Sequence, residues 1–243
     1  MNWLMLAIAP GIAISLYIIF KDEYNIEPRR HLIISFLLGM LAIIPALLIE
    51  TIIALAEQGP FFNSIAGIGV KAYISVALVE ELFKFMMLRY YAFRKPEFDE
   101  PFDGIVYAVM VGMGFATVEN IFYVSQSGIQ TAIVRMFLAI PAHATFAIIM
   151  GYFMGKAKFS THKKSNLMIA GIVWAVLFHG SYDYFLFLQD ADMIVKPTFT
   201  LLLFLGAIAS LVIGLILSNK AIKSHLALSK DTYTNSNNYG QHQ

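Results

Sequence analysis

The chain contains no cysteine, which excludes a disulfide framework, a thiolate zinc site and a cysteine nucleophile. Any chemistry must therefore come from carboxylates, imidazoles, hydroxyls or a metal held by them. Charge is scarce as well. Only 14% of the 243 residues are Asp, Glu, Lys or Arg, and the formal net charge is +1. A surface this poor in basic residues does not bind nucleic acid. What the chain has in excess is apolar surface: 58% hydrophobic residues and a mean hydropathy of +0.69 exceed what a water-soluble domain tolerates.

A hydrocarbon core about 30 Å thick needs about 20 apolar residues of helix. Seven runs of that kind are expected, at 2–20, 32–54, 72–93, 104–124, 131–155, 167–188 and 198–217. The first lacks the basic start and small-residue cleavage pattern of a secretory signal and reads as a retained span. Lys and Arg are kept in cytoplasmic loops, and thirteen of the 17 fall in alternate connections and the tail, including Lys21, Arg29, Arg30, Arg89, Arg94, Lys156 and Lys223. This places the N-terminus outside and the C-terminus in the cytoplasm. The expected architecture is an all-α polytopic membrane bundle of about seven transmembrane helices. Residues 1–228 form one embedded domain and 229–243 a polar, unstructured cytoplasmic tail. The stretch 57–70 reads as an outer loop or a re-entrant piece.

An ionisable side chain near the bilayer centre costs about 3 kcal/mol or more on insertion scales, so a group of them requires partners and usually a task. The third span carries Glu80, Glu81 and Lys84. Glu80 and Lys84 are four apart and share a helix face, while Glu81 is turned by about 100°. One acid is then paired and ionised, and the other is free to act as a base. The fourth span brings Glu119 and Asn120 behind a run of small residues, the fifth Arg135, Pro141 and His143, and the sixth His179 and Asp183. Asp183, one turn from His179, is placed to hold one imidazole nitrogen and leave the other for water, substrate or metal. Arg135, near an outer helix end, has the option of snorkelling outward. Pro141 has no amide hydrogen, so it frees the carbonyl of Phe137 and opens the helix near His143. Each of these has a purely structural alternative, such as an interhelical ion pair, an amide bridge or a hydrogen-bonded histidine. Their coincidence favours a site. Counted at 1.5 Å per residue from the outer ends, Glu119, Glu80, His179 and His143 lie about 8, 12, 14 and 18 Å deep, compatible with one pocket.

Taken together, Glu80-Glu81-x-x-Lys84, Asp103-Gly104-Ile105-Val106-Tyr107, Gly114-Phe115-Ala116-Thr117-x-Glu119-Asn120, His143 and His179-Gly180-Ser181-Tyr182-Asp183 resemble the PrsW family of bacterial intramembrane proteases. The likeness runs through nearly the whole chain, from Ala9-Pro10-Gly11 and the Lys21-Asp22-Glu23-Tyr24 loop onward, with only the polar tail outside it. That family is similar to the CAAX endopeptidases and bacteriocin self-immunity proteins. The resemblance implies a multi-pass protein of the bacterial cell membrane with catalytic positions at Glu80, Glu81, Glu119, His143 and His179. It also implies a single-pass membrane substrate, an anti-sigma factor cut near its extracytoplasmic side.

The preferred mechanism is metal-free. Glu80 or Glu81 activates water beside Lys84, one histidine with Asn120 steadies the oxyanion, and the other histidine protonates the amine while Asp183 orients His179. In the alternative, His143, His179 and Glu119 bind zinc. Buried charges of this kind also occur in transporters and scaffolds, which are the rivals from other classes.

Overall fold

The computed structural model describes residues 3–189 and 197–240, and among the described residues the regular structure is entirely helical. Helices α1 (Trp3–Lys21) and α2 (Arg29–Ala56) are followed by a 3-10 turn at Pro60–Asn63 and by α3 (Ile65–Val70). A π-helical segment, Lys71–Leu78, joins α3 to α4 (Val79–Tyr90). Then come α5 (Asp103–Phe137), α6 (Ala139–Lys158), α7 (Lys164–Gln189) and α8 (Pro197–Gly240).

Five stretches are long and apolar enough to cross a membrane: Trp3–Lys21, Arg29–Ala56, Asp103–Lys158, Lys164–Gln189 and Thr198–Asp231. The 56-residue stretch holds both α5 and α6, so six of the seven expected spans fall within these five. The third does not, because its charges and its division into three helical pieces set it apart. It also begins earlier than expected. Ser64 caps α3 by accepting from the backbone N–H of Gly67 at 3.1 Å, so 65–70 belongs to the same rod as the π segment and not to a loop. The polar stretch from Ser229, expected to be unstructured, follows on in α8 to Gly240, and 241–243 lie outside the described residues.

Lipid tails are as apolar as leucine, so helices in a bilayer associate through close packing and polar contacts more than through the hydrophobic effect. The centre of the bundle shows this. In the Asp103–Lys158 stretch, 61% of the most apolar window is buried, against 17% for Thr198–Asp231. α5 and α6 are thus the axis, with α1, α2 and α4 against α5, and α7 and α8 against α6. The axis depends on glycine where α5 and α6 meet: a Cβ added at Gly151 would run into the carbonyl oxygen of Gly104.

The fifth span departs from the uniform helix expected over 131–155. Gly128 has φ 79°, a left-handed conformation that glycine adopts without a Cβ penalty. A second break falls at Leu138 (φ −116°, ψ −65°). Pro141 lies three residues further on and cannot donate to the carbonyl of Phe137, so the helix opens where the proline demands. Arg135 ends up on a short arm between two breaks.

Candidate active site

The π segment packs against α7, with the Tyr73 hydroxyl hydrogen-bonded to Ser181 at 2.8 Å. A π turn holds an extra residue per turn and shifts the phase of whatever follows. The α4 stripe it presents to the interior is Glu80, Glu81, Lys84 and Leu88, all buried. Lys84 Nζ donates to Glu80 at 2.9 Å and to Glu81 at 2.8 Å. The expectation that Glu81 would face different surroundings from the Glu80–Lys84 pair is therefore corrected. Residues three and four back along a helix flank the same side chain, and one ammonium reaches both acids. The same Nζ lies 3.3 Å from His143 Nδ1 and 4.2 Å from the centre of the Phe115 ring.

His143 comes from α6. Its Nε2 is 2.7 Å from Glu119, whose other carboxylate oxygen is 3.0 Å from Arg135. Arg135 does not snorkel outward: beyond Glu119, it donates from Nε to Asn120 Oδ1 at 2.9 Å and lies 4.0 Å over the Tyr123 ring. The breaks at Gly128 and Leu138 fold its short arm back over α5. Asn120 in turn donates to the Ala7 carbonyl at 2.9 Å. Both ends of its amide are engaged, so it ties α1 and Arg135 to α5 and is not aimed at a reacting carbonyl, contrary to the oxyanion role expected of it.

His179 comes from α7. Its Nδ1 is 3.0 Å from Glu81, and its Nε2 is 3.2 Å from Asp183 and 4.0 Å from Glu80. The Phe146 ring stacks on the imidazole at 4.8 Å and 15°, and the two histidine rings stand nearly perpendicular, 5.2 Å apart. The expected Asp183–His179 pair is present.

One ligand atom from each of Glu80, Glu81, His143 and His179 lies within 4.8 Å of the others, and all four residues are buried. This is tighter than the depth count suggested. That count started α6 at 131. With the helix starting at Ala139, His143 is only about 6 Å along its axis. Glu119 is outside this group of four, on the far side of His143, so the geometry exchanges it for Glu80 or Glu81 in any ligand set. Glu50 of α2 was not recognised from the sequence, yet its charge is felt together with those of Glu80, Glu119, Lys84 and His179. An acid about four-fifths of the way along an apolar run was the signal. Phe146, one turn after His143, was also overlooked.

Does the donor set fit a metal ion? Two imidazoles and two carboxylates are the ligand types of zinc. The second oxygen of Glu81 is buried and has no hydrogen-bond partner among the described residues. Each histidine has an outer acid on its Nε2, Glu119 or Asp183, the arrangement that orients a ligating imidazole. When ionised, Glu80, Glu81, Glu119 and Asp183 outnumber Lys84 and Arg135 by two, a deficit that a dication or two imidazolium protons would close. The residues fit. A cavity of about 10 Å³ beside Glu81 and Lys84, closed by Gly112, Ala147 and Met150, has room for about one water molecule.

An acid–imidazole centre enclosed by a helical membrane bundle is the equipment of a membrane-embedded hydrolase. Residues 27–219 match the family model described as PrsW family intramembrane metalloprotease. The chain is 39% identical over 183 residues to Protease PrsW of Geobacillus kaustophilus, covering 75% of this chain and 79% of that protein. It is 37% identical over 202 residues to Protease PrsW of Oceanobacillus iheyensis, covering 83% and 90%. Against Protease PrsW of Bacillus subtilis it is 37% identical over 182 residues, covering 74% and 80%. No solved structure matches. The chain belongs to the PrsW family of intramembrane proteases and is a multi-pass membrane protein.

Proposed function

We propose that this protein hydrolyses a peptide bond in a single-pass membrane protein, with a divalent metal, zinc by ligand type, held by His143, His179 and Glu81, and with Glu80 as the base. The observation that carries this reading is the convergence of four buried donors within 4.8 Å, together with the two-charge deficit around them. A zinc ion there would polarise the scissile carbonyl and lower the pKa of the attacking water. Glu80 takes the water proton as the C–O bond forms and returns it to the departing nitrogen as the C–N bond breaks. Lys84 donates a hydrogen bond to each glutamate and offers positive charge to the developing oxyanion. Glu119, anchored by Arg135, and Asp183 fix the two imidazoles.

One observation favours a second, metal-free reading: the Lys84 ammonium already contacts both carboxylates. In that version Glu80 activates water unaided and His179, with Asp183 behind it, supplies the amine proton.

Because the four donors are buried, a substrate helix reaches them only when helices of the bundle part and its own scissile segment unwinds locally. The arrangement of Lys and Arg along the chain supports an extracytoplasmic N-terminus and a cut in the outer half of the bilayer. An anti-sigma factor with one span is the substrate this reading assigns.

The test uses purified protein and a membrane-tethered reporter. Cleavage lost on chelation and restored by zinc supports the metal reading, and cleavage indifferent to chelation selects the metal-free one. Glu80→Gln is expected to lower cleavage by about a hundredfold or more with abundance unchanged. Full activity in that variant overturns the role given to Glu80 in both.

A further inference from the structure

The Lys21–Tyr24 loop and the Asp103–Tyr107 segment have no part in the chemistry above, and they meet at the far end of α5. Asp22 and Glu27 from the α1–α2 connection, Glu100 from the loop before α5, and Asp103 at its start are 3%, 3%, 4% and 0% exposed. Four buried acids of one sign need compensation. Some hydrogen bonds exist: the backbone N–H groups of Asp99 and Glu100 donate to one oxygen of Asp103 at 2.8 Å. The N–H of Glu27 donates to Asp22 at 3.2 Å, and the Tyr107 hydroxyl donates to Glu27.

The Glu27 side chain also interacts with Asp103, and Glu100 with Ser229, yet among the described residues each acid keeps one buried oxygen with no hydrogen-bond partner: Asp22 Oδ1, Glu27 Oε1, Glu100 Oε1 and Asp103 Oδ1. No ion pair among the described residues reaches them. The near cation, Lys158, spends its ammonium on the carbonyls of Phe93 and Lys95 at 2.9 and 3.0 Å. One oxygen from each of Asp22, Glu100 and Asp103 lies within 4.8 Å of the others. Oxygens on opposite sides of a calcium ion are at most about 5 Å apart, so these three can share one ion by side-chain rotation alone.

We propose that Asp22, Glu100 and Asp103, with Glu27 beside them, form a structural site for a hard divalent cation, calcium or magnesium, that ties the α1–α2 connection to the start of α5. All its donors are oxygens, which suits those ions and not zinc or copper. The site is distinct from the catalytic centre: Asp103 and Glu119 are sixteen residues apart on α5, about 24 Å along its axis. Ser229 of α8 accepts from the Phe102 N–H at 3.4 Å, so α8 is fastened to the same corner.

The test is calcium and magnesium binding to the purified full chain in detergent after chelator treatment, read by calorimetry and by the thermal unfolding midpoint. Expected are saturable uptake of one ion and a midpoint raised by several degrees, with affinity at least about tenfold weaker in Asp103→Asn. Glu81→Gln is expected to bind as the parent does, which separates this site from the catalytic one. Should Asp103→Asn not fold, Asp22→Asn on the connecting loop serves in its place. No uptake of either ion at concentrations up to about 10 mM, uptake of zinc alone, or uptake indifferent to both substitutions overturns the proposal in favour of protons shared among the acids.

Discussion

Two clusters of buried acids, at different heights along α5, solve the same electrostatic problem differently. Around Glu80, Glu81 and Glu119 much of the compensating charge comes from the chain itself, although the acids still outnumber the cations: Lys84 bridges two acids and Arg135 holds the third. Around Asp22, Glu27, Glu100 and Asp103 the described residues supply backbone amides and a tyrosine but no cationic side chain in contact. In the first, side chains hold a closely spaced set of reactive groups in place. In the second, the compensation must come from outside. Buried charge thus marks a site, while the origin of its counter-charge says what kind.

That contrast is open to direct attack. Lys84→Met removes the ammonium that Glu80 and Glu81 share, and breaking a buried pair costs about 3–5 kcal/mol. A severe loss of folded protein is expected by thermal unfolding in detergent, and a variant as stable as the parent would show that Lys84 is not the internal counter-ion. Asp183→Asn keeps the shape but weakens the hold on His179. Cleavage is expected to fall by about 10–100-fold with an unchanged unfolding midpoint, and equal losses of activity and stability would demote Asp183 to packing. Asn120→Ala removes the bridge between Ala7 and Arg135 and is expected to cost about 1–2 kcal/mol, seen as a lower midpoint with cleavage per folded molecule largely kept. The smallest effect has the opposite sign. With divalent ions chelated, Asp22→Asn should leave the midpoint unchanged or raise it, because it removes an uncompensated charge. A marked fall would mean that the second cluster is already balanced from within.

Much of the site was legible in the order of residues. Glu80, Glu81, Lys84, His143, His179 and Asp183 stand out because ionisable groups in apolar runs are expensive, and the i, i+4 spacing of His179 and Asp183 predicted their contact. Three features were not legible. Glu81 turned towards Lys84 because its neighbours three and four residues along lie on one side, where a simple angular count had separated them. Arg135 turned inward because breaks at Gly128 and Leu138 reversed its arm. Asn120 proved to be a bridge because its partners, Ala7 and Arg135, come from segments far from it in the chain. Glu50 was within reach of the same reasoning and was passed over among the leucines and isoleucines of α2.

The amino-acid sequence alone determined that this chain is helical, that it lives in lipid, and which side chains lipid would not tolerate, since run length and the cost of an unpaired charge are local quantities. Which of those side chains share a lone pair or a proton was decided only in three dimensions. A π turn before α4 and a proline break before α6 set the phase and depth of each helix, and shifts of one residue in either are invisible to hydropathy yet move a carboxylate by a quarter of a turn.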